Sequence, residues 1–296
     1  MPRRPTGERP SVRRLARPAA LGRVGTGPRS VTVARRLGVL AAAIAIAGPA
    51  ARPAWAGAWT LPEGTGQVIV KTSYSGADWV FDAAGQVRKA DRFRKTEIEA
   101  FLEHGWRDNL TLLAKPVFQR VRSGEDRQTG LSSLEAGARV RLGRLGAARI
   151  ASAQASIILP GRDFDRTAPL LTSGHTDYEA RVLYGDSGTV LGLEGYFDGQ
   201  LAYRRRGGPP ADELRLDLTV GVDLSERWSL TGASETIATQ GEARAPYTHY
   251  RSQKLQAALR LDLGRGRWIE AGARHTFAGL AALRETGGFV SVWFAY

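Results

Sequence analysis

The amino-acid sequence predicts an all-β fold, a transmembrane antiparallel up-and-down β-barrel of about twelve strands. Three observations carry that prediction. Short segments from Gln67 to Tyr296 alternate apolar and polar residues with the two-residue period of a strand that buries one face. The connections between them alternate short and long, as periplasmic turns and external loops do in outer-membrane barrels. The chain closes on an amphipathic, aromatic-rich strand, Phe289-Val290-Ser291-Val292-Trp293-Phe294-Ala295-Tyr296.

Composition narrows the function classes. The 296 residues hold 42 Lys+Arg against 29 Asp+Glu, a net charge of +13. That charge is not spread evenly: residues 1–56 contain eleven arginines, no lysine and one acid, Glu8, whereas the other 240 residues carry 31 basic and 28 acidic groups. The basic excess belongs to a leader, so no nucleic-acid partner is expected for the rest of the chain. With no cysteine, disulfide scaffolds, thiolate metal sites and thiol nucleophiles are excluded. A mean hydropathy of −0.26 argues against a helical membrane protein. It is neutral toward a barrel, whose strands are apolar only at alternate residues.

The leader reads in two pieces. Residues 1–30 are Arg/Pro/Gly-rich without apolar period and predict a disordered leader or a misassigned start; a start at Val31 or Val33 would give a signal peptide of ordinary length. Residues 31–56 have the three parts of a secretory signal peptide: Arg35-Arg36, an apolar run from Leu37 to Ala47, and Ala54-Trp55-Ala56 as cleavage site. The run is too short for a transmembrane helix, which needs about 20 apolar residues. Cleavage after Ala56 leaves residues 57–66, with Trp59 and Pro62, as a short periplasmic or lumen-entering segment ahead of the barrel at 67–296.

Twelve segments then follow, starting near residues 67, 94, 110, 132, 147, 177, 189, 213, 228, 249, 268 and 286. The clearest runs from Glu213 to Leu224. Leu214, Leu216, Leu218, Val220, Val222 and Leu224 share one face, and Glu213, Arg215, Asp217, Thr219, Gly221 and Asp223 the other. Lys254–Leu263, Leu134–Leu142 and Tyr178–Tyr184 repeat the pattern. Short turns are expected at Gly105–Asn109, Gly143–Gly146, Gly185–Gly188, Ser225–Arg227 and Gly264–Arg267. Long loops are expected at Gly76–Phe93, Ser123–Gly130, Gly161–Thr176, Arg204–Asp212 and Gln240–Tyr247, with a compact one near Leu280–Thr286. Pro116 removes a ladder donor, so its strand should bulge or bend there. Arg149–Leu159, small and Ala/Ser-rich, leaves its two faces unassigned.

Alternation alone does not say which face is inward, and a soluble sandwich or barrel is the other all-β solution. The polar faces carry acids, arginines and glycines together, which suits a wet lumen. The lumen-lining candidates are Glu97, Glu99, Glu103, Glu135, Arg139, Arg141, Glu179, Arg181, Arg215, Asp217, Arg260, Asp262, Glu270 and Arg274, with Glu194 and Asp198 beside them. They either form a hydrophilic passage with opposed charged ridges or pair across a narrow interior and plug it, since unpaired charges in a low-dielectric space are costly. Trp228, Trp268, Tyr74, Tyr178, Tyr184, Phe294 and Tyr296 read mainly as interfacial girdle residues.

No enzyme is expected, and no cofactor or metal. The four histidines, His104, His175, His249 and His275, lack a His-x-Ser pattern, and His175 with Asp177 suits a surface hydrogen bond better than a base and its orienter. No Gly-rich phosphate loop occurs in the mature chain.

The C-terminal strand ending at Tyr296 resembles the signature strand of bacterial outer-membrane proteins, which the barrel assembly machinery reads. The lead-in Gly57-Ala-Trp-Thr-Leu-Pro-Glu-Gly-Thr-Gly-Gln67 with the 67–296 pattern resembles the transporter-like outer-membrane barrels of meta-pathway phenol degradation. That resemblance implies passage of a small, aromatic-type solute and supplies no site residue. The expectation is a passive channel for small polar or amphiphilic solutes in a Gram-negative outer membrane, with outer-membrane lipid and the assembly machinery as partners. The alternatives are an outer-membrane component of exopolysaccharide export and a closed structural barrel.

Overall fold

The computed structural model describes residues 57–146, 148–161 and 171–296; the expected leader, signal peptide and Ala56 cleavage site lie outside them. The strands are β1 (Gly66–Phe81), β2 (Val87–Arg107), β3 (Leu110–Ser123), β4 (Asp126–Arg144), β5 (Arg149–Pro160) and β6 (Asp177–Val190). There follow β7 (Leu193–Arg205), β8 (Asp212–Asp223), β9 (Trp228–Gln240), β10 (Arg251–Asp262), β11 (Arg267–Leu280), the two-residue β12 (Ala282–Leu283) and β13 (Thr286–Ala295). Each long strand pairs antiparallel with its sequence neighbours, and β1 pairs with both β2 and β13, from Gln67↔Ala295 to Gly76↔Thr286. The sheet therefore closes as a twelve-stranded up-and-down barrel. β12 is an extra rung on the outer extension of β1, Val80↔Leu283 and Phe81↔Ala282.

Burial settles the faces. Leu214, Leu216, Leu218 and Val220 are exposed on β8, whereas Glu213 is buried. The same holds around the barrel: Leu134, Val182, Leu201, Leu230, Leu259, Ile269 and Val290 lie outside, and Glu135, Glu179, Asp198, Arg260, Glu270 and Ser291 are buried. Charged groups enclosed by a ring of exposed aliphatics invert the soluble pattern and fit a transmembrane barrel with lipid outside. On β5, Ile150, Ser152, Ser156 and Ile158 point in and Leu159 out, which assigns the two faces the sequence left open.

The expected strand edges need three corrections. β2 begins at Val87 rather than near 94, and β4 at Asp126 rather than near 132, so the long loops expected at Gly76–Phe93 and Ser123–Gly130 are extended hairpins with tight ends. In these extensions both faces are polar or mixed, so the apolar/polar period disappears although the ladder continues. β6 runs on through Gly185–Gly188 to Val190, and the turn is Leu191-Gly192 instead, with φ of 52° and 85°. Two positive φ values give the two-residue reversal that matches strand twist. Next to Pro116 the β3–β4 register shifts between Val117 and Phe118, the bulge its missing N–H predicts.

Candidate functional site

The barrel interior is the candidate site, and three groups of side chains line it. On the β6–β8 wall, Glu179 accepts from Arg181 at 2.9 Å and Arg204 at 2.8 Å. Arg181 also reaches Asp217 at 2.6 Å and Gln200 at 2.5 Å. Glu213 receives Arg215 at 3.1 Å, the Tyr250 hydroxyl at 2.9 Å, and Arg206, which also binds Asp177 at 2.8 Å. Alternation creates this ladder: residues 179 and 181, 204, and 213, 215 and 217 all fall on the inward period of adjacent strands, with Glu179↔Arg204 and Arg204↔Glu213 in direct register. Four cations face four anions, so each charge compensates the desolvation of another.

A second group occupies the wall where the barrel closes. Lys71 pairs with Glu99 at 2.5 Å, Lys95 with Glu97 at 3.6 Å, and Lys254 with Glu285 at 2.7 Å. Gln119 donates to Glu97 and Arg274 to Ser73. Glu285 lies between β12 and β13, outside the strands, and also accepts from Ser75 at 2.8 Å. Burial alone would raise its carboxyl pKa, but Lys95, Lys254 and the Ser75 hydroxyl outweigh burial and hold it at about 2.

The third group, at the end that carries the termini and short turns, holds residues 57–65, with 57–61 buried or half-buried and 62–64 exposed at the rim. The Glu63 N–H donates to Asp108, the Leu61 N–H to Thr111 at 2.8 Å, and Arg139 to the Trp59 carbonyl at 3.1 Å. Ser152 donates to the Ala58 carbonyl at 2.5 Å, and the Ala58 N–H donates to Asp198 at 2.7 Å. These partners lie successively on the β2–β3 turn, β3, β4, β5 and β7, so the segment sweeps half the barrel's circumference. The Trp59 ring meets Tyr196 edge-on at 6.3 Å and covers Gly185, where a Cβ would stand 2.6 Å from it. At Gly105 a Cβ would stand 2.1 Å from the Pro62 carbonyl, so the strand must be bare for the segment to pass. Ala58, Ile150 and Leu183 form a small apolar cluster with Trp59 against it.

Of the residues expected to line the lumen, Glu179, Arg181, Arg215 and Asp217 meet in one network, and Glu103 meets Arg139 at 2.8 Å. Glu97 and Glu99 lie on the opposing wall, Glu135 pairs with Lys115 at 3.0 Å, and Arg260 is the register neighbour of Glu270 and stacks on Trp293. Arg141 is half-buried at the turn end, and Asp262 accepts the Gly264 N–H at 2.6 Å. Glu194 is exposed beside the β6–β7 turn, whereas Asp198 is buried under the segment. His175 contacts the Ser173 carbonyl, while Asp177 binds Arg206 and the Gly207 N–H; the two do not meet. The reading of single strands missed Lys71, Lys95, Lys115, Arg204, Arg206, Glu213 and Glu285. For Lys71, Lys115, Arg204 and Glu213 the signal is inward parity opposite a counter-charge on the neighbouring strand, visible only once register is known; Lys95 pairs along its own strand, and Arg206 and Glu285 lie outside the strands.

No protein-family model and no curated protein matches the sequence. Among solved structures the chain is similar to an outer-membrane channel from Pseudomonas putida F1, with a TM-score of 0.63, 15% identity, and coverage of 83% of this chain and all of that one. It is also similar to the NanC porin, with a TM-score of 0.53, 10% identity, and coverage of 77% and 98%. At these identities the likeness establishes the barrel fold.

Proposed function

We propose that this protein is a passive outer-membrane channel for small polar or amphiphilic solutes, aromatic ones included. The carrying observation is the inner wall: acids and bases are arranged in opposed ladders inside an apolar exterior, with residues 57–65 docked at the end bearing the termini. A solute meets alternating charges of both signs, which favours zwitterionic and polar amphiphilic species over simple ions. The neighbouring channel and porin folds support the reading. The outer membrane is the proposed location, reached after cleavage near Ala56, with the strand ending in Tyr296 read by the assembly machinery.

The test is conductance of the full chain, matured in a Gram-negative host, in planar lipid bilayers. Discrete current steps are expected. Asp217→Ala, which removes one anion from the inner ladder, should shift reversal potentials toward anion selectivity. A folded barrel that stays silent would refute the channel and favour a closed structural barrel.

A further inference from the structure

The extracellular extensions of β2, β3 and β4 carry an arrangement that the interior does not explain. On the outer face of these strands, Ile98 and Phe118 are register neighbours and exposed, part of the apolar band. Two residues further out, Tyr74, Thr96, Arg120 and Thr129 stand in one row. Two residues beyond that, Arg94, Arg122 and Arg127 stand side by side, with Arg94↔Arg122 and Arg122↔Arg127 in direct register. Directly opposed residues have Cβ atoms about 4.5–5.5 Å apart, and like charges so placed repel.

Only Arg94 has an acid, Asp78, bound through both oxygens at 3.1 Å. Among the described residues Arg120, Arg122 and Arg127 have no ion pair, although Glu125 and Asp126 sit at the adjacent turn. The β6–β8 network balances four cations with four anions, and these three arginines have no such counter-charges. Arg120 stands two residues above the exposed Ile98 and Phe118, in the row of the exposed Tyr74 ring, with Arg122 and Arg127 two residues beyond it, the level at which headgroups and girdle aromatics meet.

We infer that Arg120, Arg122 and Arg127 bind the phosphate of a phosphorylated glycolipid of the outer leaflet, whose acyl chains lie on Ile98 and Phe118. Guanidinium forks match phosphate oxygens bidentately, and one dianionic headgroup relieves the repulsion along the row. Continuity of the cationic row with the apolar band selects a lipid over a free anion, because the same ligand satisfies both. The assignment rests on the outer-membrane location proposed above, with the termini and short turns at the periplasmic end.

The test compares the full chain with Arg122→Gln/Arg127→Gln, each matured in a Gram-negative host and extracted in mild detergent. The probes are lipid A carrying both phosphates, the same lipid A stripped of them, and inorganic phosphate as competitor. At about one kcal/mol for each basic residue at a charged membrane surface, the double variant should bind phosphorylated lipid A about thirtyfold more weakly. Wild type should bind the stripped lipid as weakly, and inorganic phosphate should not displace the lipid. Equal binding by both proteins, or by both lipids, overturns the assignment; displacement by millimolar phosphate makes this a free-anion site and overturns it too. Heat-modifiable migration in gels confirms that the variant is folded. Membrane fractionation separates the two readings: a chain outside the outer membrane overturns both, whereas a chain within it that ignores the lipid phosphates overturns only this one.

Discussion

The pair Glu103–Arg139 offers the sharpest test of how the interior is held. Its side chains are 1% and 4% exposed, with Oε1 and Nη1 2.8 Å apart. Arg139 also donates to Gln154 at 3.1 Å and to the Trp59 carbonyl, whereas among the described residues Glu103 has only the Gln67 amide besides. The two halves are therefore unequal. Arg139→Gln leaves a buried carboxylate without its cation and should cost about 3–5 kcal/mol. Glu103→Gln leaves Arg139 two neutral acceptors and should cost about 1–3 kcal/mol. In the double variant neither charge remains, so it should be more stable than Arg139→Gln alone. The assay is equilibrium urea unfolding in phospholipid vesicles, read as a double-mutant cycle. Effects that add within about 0.5 kcal/mol would refute the reasoning, because the pair would then be screened by water and would not hold the 57–65 segment.

Two further outcomes follow from the faces and charges. Leu218→Arg places a cation on the lipid side of β8 in mid-strand and should destabilise the barrel by about 2–4 kcal/mol, measured by the same unfolding assay; a neutral result would reverse the face assignment. Glu285 ionises at about 2 in the folded barrel against an ordinary 4.5, so its contribution to stability is complete above pH 4.5 and is lost as pH falls through 2. Urea midpoints should decline across that window, and Glu285→Gln should flatten the decline.

The barrel, its strand count and its inward face were legible from Gln67 onward because a bilayer enforces alternation wherever a strand crosses it. Where strands leave the bilayer that constraint lapses, and the outer parts of β1, β2 and β4 read as loops although they are paired. The interior was legible only in part. Glu179, Arg181, Arg215 and Asp217 follow from parity, but that Arg204 completes Glu179, or that Lys254 reaches Glu285 from another strand, depends on register and closure. The path of residues 57–65 had no periodic signal, since its partners are isolated polar groups spread from Gly105 and Asp108 round to Asp198.

The docking of that segment also depends on the wall that receives it. The Ala58–Asp198 hydrogen bond joins groups 140 residues apart in sequence, whereas β2 to β11 pair with the hairpin partners beside them and β1 closes on β13 across the longest separation. Contacts of such long loop length form late, after the local hairpins have already paid for the intervening chain. Asp198, Ser152 and Arg139 are in place as receptors only when β4, β5 and β7 have joined one curved wall. The hairpins of that wall can thus form before residues 57–65 dock, so the rate of docking can change without altering their strand pairing.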